Sequence, residues 1–140
     1  MTTCTPKLID WSQEFSVGIP SIDSQHQRLV ELINDLHAAM MSGKGSQVLG
    51  KTLDGMIAYT ITHFTYEEKL MRQTGFPGLE AHCAEHGKLL ETAKKLQADH
   101  RGGKVAISLD TMNFLKQWLR GHIAGSDRLY GPHLVQAGIR

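Results

Sequence analysis

In the stretch HFTYEEKLM, residues 63–71, a histidine and a glutamate fall one helical turn apart. At helical period His63, Glu67 and Leu70 share one face, which continues a stripe begun by Leu49, Leu53, Met56 and Thr60. Steps of three and four mark a helix buried along one side. An imidazole and a carboxylate therefore hold interior positions, where an unpaired charge is costly and something must compensate it. The chain has eight histidines in 140 residues, and the positions of the others indicate what the partner is.

Three more stripes carry histidine on an apolar face. One runs Ile22, His26, Leu29, Ile33, Leu36, Met40; another Leu79, His82, His86, Leu89, Ala93, Leu96, His100; the last Thr111, Leu115, Trp118, His122. Turn-forming segments separate them. GIPSID opens the first helix with Ser21 as its expected N-cap, and SGKGS (42–46), TGFPG (74–78) and DHRGGKV (99–105) close the first three. The fourth is expected from about Ile107 to Asp127, with LYGPH breaking it. Short loops between long amphipathic helices imply antiparallel neighbours. The expected fold is all-α: an up-down-up-down four-helix bundle over residues 21–127, a non-helical arm over 1–20 and a tail over 128–140, in one domain. Trp11, Phe15, Val17 and Ile19 are the arm residues expected to pack on the bundle.

This topology puts the start of the first helix, the end of the second, the start of the third and the end of the fourth at one end. At 1.5 Å rise per residue, His26, His63, Glu67, His82, His86 and His122 then share a layer roughly 10 Å thick. Asp127 joins less regularly, because five residues after His122 an ideal helix has turned it about 140° away. Only a looser turn at Gly125 and Ser126 would bring it inward, and periodicity leaves both placements open. His37 and His100 lie too far along their helices, and His133 lies beyond the last one.

Six or seven polar groups from four helices form a metal site. They are too many for one tetrahedral zinc, which takes about four ligands. They suit two six-coordinate ions: imidazoles, two bridging carboxylates and a bridging hydroxide fill all but about one position, which is room for a small diatomic molecule. HCAEH (82–86) also fits the inverted zincin pattern with Glu85 as base, but that reading leaves His26, His63, Glu67, His122 and Asp127 without a purpose. The paired E-x-x-H of carboxylate-rich di-iron enzymes is absent from the sequence.

The remaining composition points the same way. A formal net charge of +1 gives no general attraction to nucleic acid or to an anionic membrane. No apolar run approaches the roughly 18 residues of a membrane span, and the N-terminus has no signal-peptide core, so a cytoplasmic protein is expected. Cys4 and Cys83 lie in unrelated contexts and read as free thiols.

From VGIPSIDSQH through HFTYEE and HCAEH to WLRGHIAGSDRLYGP, the chain resembles the bacterial members of the hemerythrin family. The resemblance spans nearly the whole sequence and rests on seven ligand positions in order. It implies two irons with a bridging oxo or hydroxo group, one held by His82, His86 and His122, the other by His26 and His63, with Glu67 and Asp127 bridging. It further implies reversible binding of dioxygen at the iron with fewer histidines, in a dry pocket whose candidates are Trp118, Leu119, Ile22 and Phe64. The function expected is oxygen storage, delivery or supply, with a protein partner such as an oxidase, rather than enzymatic turnover. Signalling through a partner protein and a di-iron peroxidase or nitric-oxide-consuming activity are the competing readings.

Overall fold

The computed structural model describes residues 8–43, 46–102 and 109–140. Helix α1 spans Pro20–Met41, α2 Ser46–Thr74 and α3 Leu79–Arg101; α4 spans Leu109–Gly121 and runs through a π-helical turn, His122–Asp127, into α5, Arg128–Gln136. These form the four-helix bundle, and no strand occurs among the described residues. The start expected at Ile107 lies outside them.

The helix ends follow local chemistry. Pro20 occupies the first turn of α1, where its missing N–H is not needed. Ser21 is therefore inside the helix, not its cap, and its hydroxyl accepts a hydrogen bond from the Tyr66 hydroxyl at 3.0 Å. Asp23 ties the arm down instead, accepting from the Ser16 hydroxyl at 2.6 Å and from the Val17 N–H at 2.9 Å. At the far end of α2, Gly75 takes φ +69°, a left-handed conformation that glycine adopts without strain. Phe76 N–H then reaches Met71 O and Gly75 N–H reaches Arg72 O, closing the helix with a Schellman motif.

The arm packs as expected. Phe15, Val17 and Ile19 are buried, and Trp11 lies 5.6 Å from the Phe15 ring centre. Asn34 on α1 holds it by two backbone bonds, donating to Ile9 O and accepting from Ile9 N–H, each at 2.9 Å. A short 3-10 turn, Gln13–Phe15, lies within the arm.

The break expected at LYGPH does not occur, since the chain stays helical through Gly131 and Pro132 to Gln136. Propensity alone disfavours this by about 1 kcal/mol for glycine and about 3 for proline. Tertiary burial overrides it: Tyr130 and Leu134 are both fully buried, each contributing on the order of 1.5–3 kcal/mol. Gly131 has a further role, because a Cβ there would sit 2.5 Å from the Val17 carbonyl oxygen. The arm and α5 touch backbone to backbone at that point.

Two glycine substitutions should therefore differ in sign. Gly87 on α3 faces open space, so Gly87→Ala should stabilise by up to about 1 kcal/mol. Gly131→Ala should destabilise by about 1–3 kcal/mol, since a backbone carbonyl cannot step aside cheaply. Urea unfolding of both variants checks this; equal shifts would mean that the arm does not rest on α5.

Candidate metal centre

Each helix delivers its polar residues to one level of the core. His26 comes from α1, His63 and Glu67 from α2, His82 and His86 from α3, and His122 and Asp127 from the π-helical turn. All seven are 4 % exposed or less. The π turn explains Asp127. It takes one more residue per turn than an α-helix, so the fifth residue after His122 comes close to where the fourth would otherwise stand. Asp127 consequently points inward beside His122, with its Oδ1 3.0 Å from the His122 Nε2.

The contacts converge on the two carboxylates. Asp127 Oδ1 also meets His82 Nε2 at 2.8 Å, and Asp127 Oδ2 meets His26 Nε2 at 3.0 Å. Glu67 Oε1 lies 3.3 Å from both His63 Nε2 and His86 Nε2, and its Oε2 lies 3.5 Å from His26 Nε2. Five imidazoles thus turn the same ring nitrogen toward one centre. Their ligand atoms fall into two overlapping groups, Glu67, His82, His86, His122, Asp127 and His26, His63, Glu67, Asp127, with every atom of a group within 4.8 Å of the others. Glu67 and Asp127 belong to both.

These groups fit metal ions better than they fit one another. His26 Nε2, His82 Nε2, Glu67 Oε1 and both Asp127 oxygens are buried yet make no properly directed hydrogen bond. His86 Nε2 and His122 Nε2 face each other at 3.2 Å. Buried polar atoms are ordinarily satisfied, so a close-packed set aimed at a common point is the mark of a cation site.

Charge in the cluster is correspondingly perturbed. Burial raises the Glu67 carboxyl, but the His63 charge and the close imidazole nitrogens of His26, His63 and His86 hold it well below the ordinary carboxylate range. Burial and the Glu67 charge likewise oppose ionisation of Asp127, and His122 and His26 outweigh them, holding it low. Burial pulls His26 down, yet Asp127 and Glu67 push it up to about 9. In the metal-free chain the His26 proton stands where a metal ion's charge would.

Further contacts orient the ligands from behind. His63 Nδ1 meets Gln25 Oε1 at 2.6 Å and His86 Nδ1 meets Glu68 Oε2 at 2.8 Å. An Nδ1–H donated to either oxygen leaves Nε2 with its lone pair facing the centre. Glu85 Oε2 stands 3.8 Å from His122 Nδ1, and Glu85 Oε1 accepts from the Ser126 hydroxyl at 2.8 Å. The Tyr130 hydroxyl donates to Glu67 Oε2. Burial and the charges of Asp127 and Glu67 raise that phenol well above its usual value, so it remains a donor. Sequence periodicity missed Tyr130 because its helix was expected to have ended; three residues past Asp127 on a continuing helix, it faces the same side.

The pocket candidates separate into two groups. Phe64 stacks on His86 with ring centres 3.6 Å apart, and Trp118 stacks on His122 at 4.6 Å. Those two and Leu119 line a common apolar cavity beside the cluster. Ile22 does not line it; it is fully buried in a different apolar cluster with Ile19, Met71 and Tyr130. Of the other histidines, His37 is buried away from the centre and the ring of His133 bonds Thr74 O at 2.8 Å. His100 lies beside Gly50 on α2.

A four-helix bundle enclosing five imidazoles and two shared carboxylates is a non-haem metal-binding protein whose cluster suits a di-iron centre. The Hemerythrin HHE cation binding domain matches residues 17–134. The chain is 37 % identical to the bacteriohemerythrin of Methylococcus capsulatus, over 91 % of this chain and 97 % of that one. It is 30 % identical to the hemerythrin-like protein of Naegleria gruberi, over 93 % and 97 %. A crystal structure of wild-type hemerythrin superposes with a TM-score of 0.87 at 36 % identity, covering 91 % of this chain and 98 % of that one. The chain belongs to the hemerythrin family.

Two consequences of the His26 pairing are measurable. In the metal-free chain, the stability it gives is fully present below a pH of about 6.5 and is lost as pH rises through about 9. Metal uptake at pH 7 should release about one proton from His26, with apparent affinity rising with pH and levelling off only above about 9. Calorimetric titration in buffers of different ionisation enthalpy counts the protons; a count of zero at pH 7 would contradict a protonated His26.

Proposed function

We propose that this protein reversibly binds dioxygen at a di-iron centre, for oxygen storage, delivery or supply. The observation that carries the reading is the pair of overlapping ligand groups sharing Glu67 and Asp127, set against an apolar wall. In this reading His82, His86 and His122 would hold one iron, His26 and His63 the other, with Glu67 and Asp127 as the carboxylates available to both. When bound, the two irons supply the electrons that dioxygen binding draws on and recover them when it leaves.

The chain's own residues supply orientation and dryness. Gln25 and Glu68 fix the rings of His63 and His86, so the ligands need little reorganisation. Tyr130 restrains Glu67 through its Oε2. Phe64, Trp118 and Leu119 keep water from the side where dioxygen arrives, since water entering there would displace it and leave the irons oxidised. The side chains of that wall are apolar apart from the Thr60 hydroxyl and the Trp118 N–H, which supports binding over acid–base turnover. Supply of oxygen to a partner such as an oxidase fits this chemistry. Among the described residues, no helix is long and apolar enough to cross a membrane.

His122→Ala should weaken iron binding by more than the ~10–100-fold that losing an outer partner costs. His37→Ala should leave iron content unchanged, because His37 is buried elsewhere in the core. Metal analysis of the purified variants distinguishes them; equal iron loss would misplace the site.

The function itself is tested by titrating the anaerobically reduced, iron-loaded protein with dioxygen. One molecule should bind per pair of irons and create a visible absorption band that disappears on degassing. A zinc hydrolase would give no band. An oxidase-like site would pass once to an oxidised product without recovery, and that result would end the carrier reading.

A further inference from the structure

The cluster has no opening of its own: its seven residues are 4 % exposed or less. A ligand gas must therefore pass through the packed bundle, and the packing is uneven. The backbones of α1 and α2, and of α2 and α3, lie in extensive contact, whereas among the described residues α3 and α4 approach each other only sparsely. A groove lies over that looser seam, and beneath it a cavity lies in the core among all four helices.

The inner cavity has about 30 Å³ open to the centre of a water-sized sphere. One such sphere needs roughly 10–15 Å³, so a diatomic molecule has room. Its lining includes Phe64, Trp118 and Leu119 toward the cluster and Leu89, Ala93 and Leu115 toward the seam. Water in such a space needs about 2–4 polar partners. Only Thr60 and Trp118 among the lining residues carry an O–H or N–H, and the Thr60 hydroxyl already donates to Met56 O at 2.7 Å. An apolar gas needs no such partners. The cavity therefore favours dioxygen over water.

The outer cavity is a groove of about 250 Å³ on the surface between α3 and α4, bordered by Leu96, Thr111 and the half-exposed Phe114. Its floor includes Ala93 and Leu115, the same two residues that line the inner cavity. Each is 4 % exposed. Ala93 and Leu115 are thus the side chains the two spaces share, and on the α3 side that side chain is a single methyl group. Rotation of the Leu115 side chain is a fast motion that would open the inner space.

We propose that dioxygen enters and leaves between α3 and α4, through a gate formed by Ala93 and Leu115 and by way of the apolar cavity behind Phe64, Trp118 and Leu119. This rests on the dioxygen-binding reading of the cluster. A gate lies on the path in both directions, so narrowing it slows arrival and departure alike and leaves their ratio unchanged.

The test uses the iron-loaded protein in two forms of experiment. Crystals of the parent pressurised with xenon should show a xenon atom in the inner cavity, and crystals of Ala93→Leu should reach that occupancy more slowly. Rapid mixing of the reduced protein with dioxygen should show Ala93→Leu reacting roughly tenfold more slowly than the parent. Leu115→Ala, which widens the same gate, should react faster. Release rates should shift by the same factors. Two variants with opposite expected signs guard against a mere packing defect, which would move both rates the same way. An inner cavity without xenon, or reaction rates that ignore both substitutions, would overturn the route. If oxygenation proves irreversible the carrier reading fails, while the order of the reaction rates still decides the path.

Discussion

Two carboxylates, Glu67 and Asp127, are fully buried at the centre of the bundle, and the surrounding structure answers the cost of putting them there. An ionised carboxylate in an apolar interior is unfavourable by several kcal/mol unless it is paired and hydrogen-bonded. Here each oxygen faces imidazole nitrogen, and one oxygen of Glu67 also accepts from Tyr130. Four helices must meet at one level to provide those groups, which fixes the register of every helix against its neighbours. The site is thus also the main specification of the bundle's alignment.

Because polar groups fill this level, the apolar core is split into two. On one side Leu29, Ile33, Leu36, Leu53, Met56 and Leu115 belong to a large cluster that takes in the rest of the helices. On the other, Val17, Ile19, Ile22, Met71, Tyr130 and Leu134 form a smaller one made by the arm, the start of α1, the end of α2 and α5. The smaller cluster explains why the chain continues past Asp127. Without Tyr130 and Leu134 that side of the carboxylates would meet water, and Glu67 would lose its phenol donor.

Where one period governs a whole helix, the sequence was a reliable guide. His26, His63, Glu67, His82, His86 and His122 each repeat with apolar neighbours at three- and four-residue steps, and burial follows that period. Glu67 and Glu68 illustrate the resolution available: the inward choice follows from the four-residue step after His63, and Glu68 instead stands half-buried behind His86. Asp127 resisted, because a π turn changes the period for six residues and nothing short of the structure shows which residue is the extra one. The helix beyond it was masked by Gly131 and Pro132, whose local preferences lose to burial that only the folded arm makes available. Gln25, Glu68 and Glu85 act from the neighbouring face, where charged residues are ordinary, so no pattern marks them out.

The two sides of the cluster also differ in what they permit. On the α5 side, Gly131 meets the arm backbone, Tyr130 is bonded to Glu67, and Phe76 packs edge-on against the Tyr130 ring with centres 6.5 Å apart. That side is closed by polar bonds and backbone contact, which move only with the tail itself. On the opposite side, Phe64 and Trp118 cover His86 and His122 by ring stacking, and beyond them the packing relaxes into a cavity. Dispersion contacts hold that wall, and their individual cost of displacement is small. The proposed passage of dioxygen rests on this division: directional bonds on the α5 side, and loosely packed apolar side chains on the other, where an apolar molecule would pass at little cost.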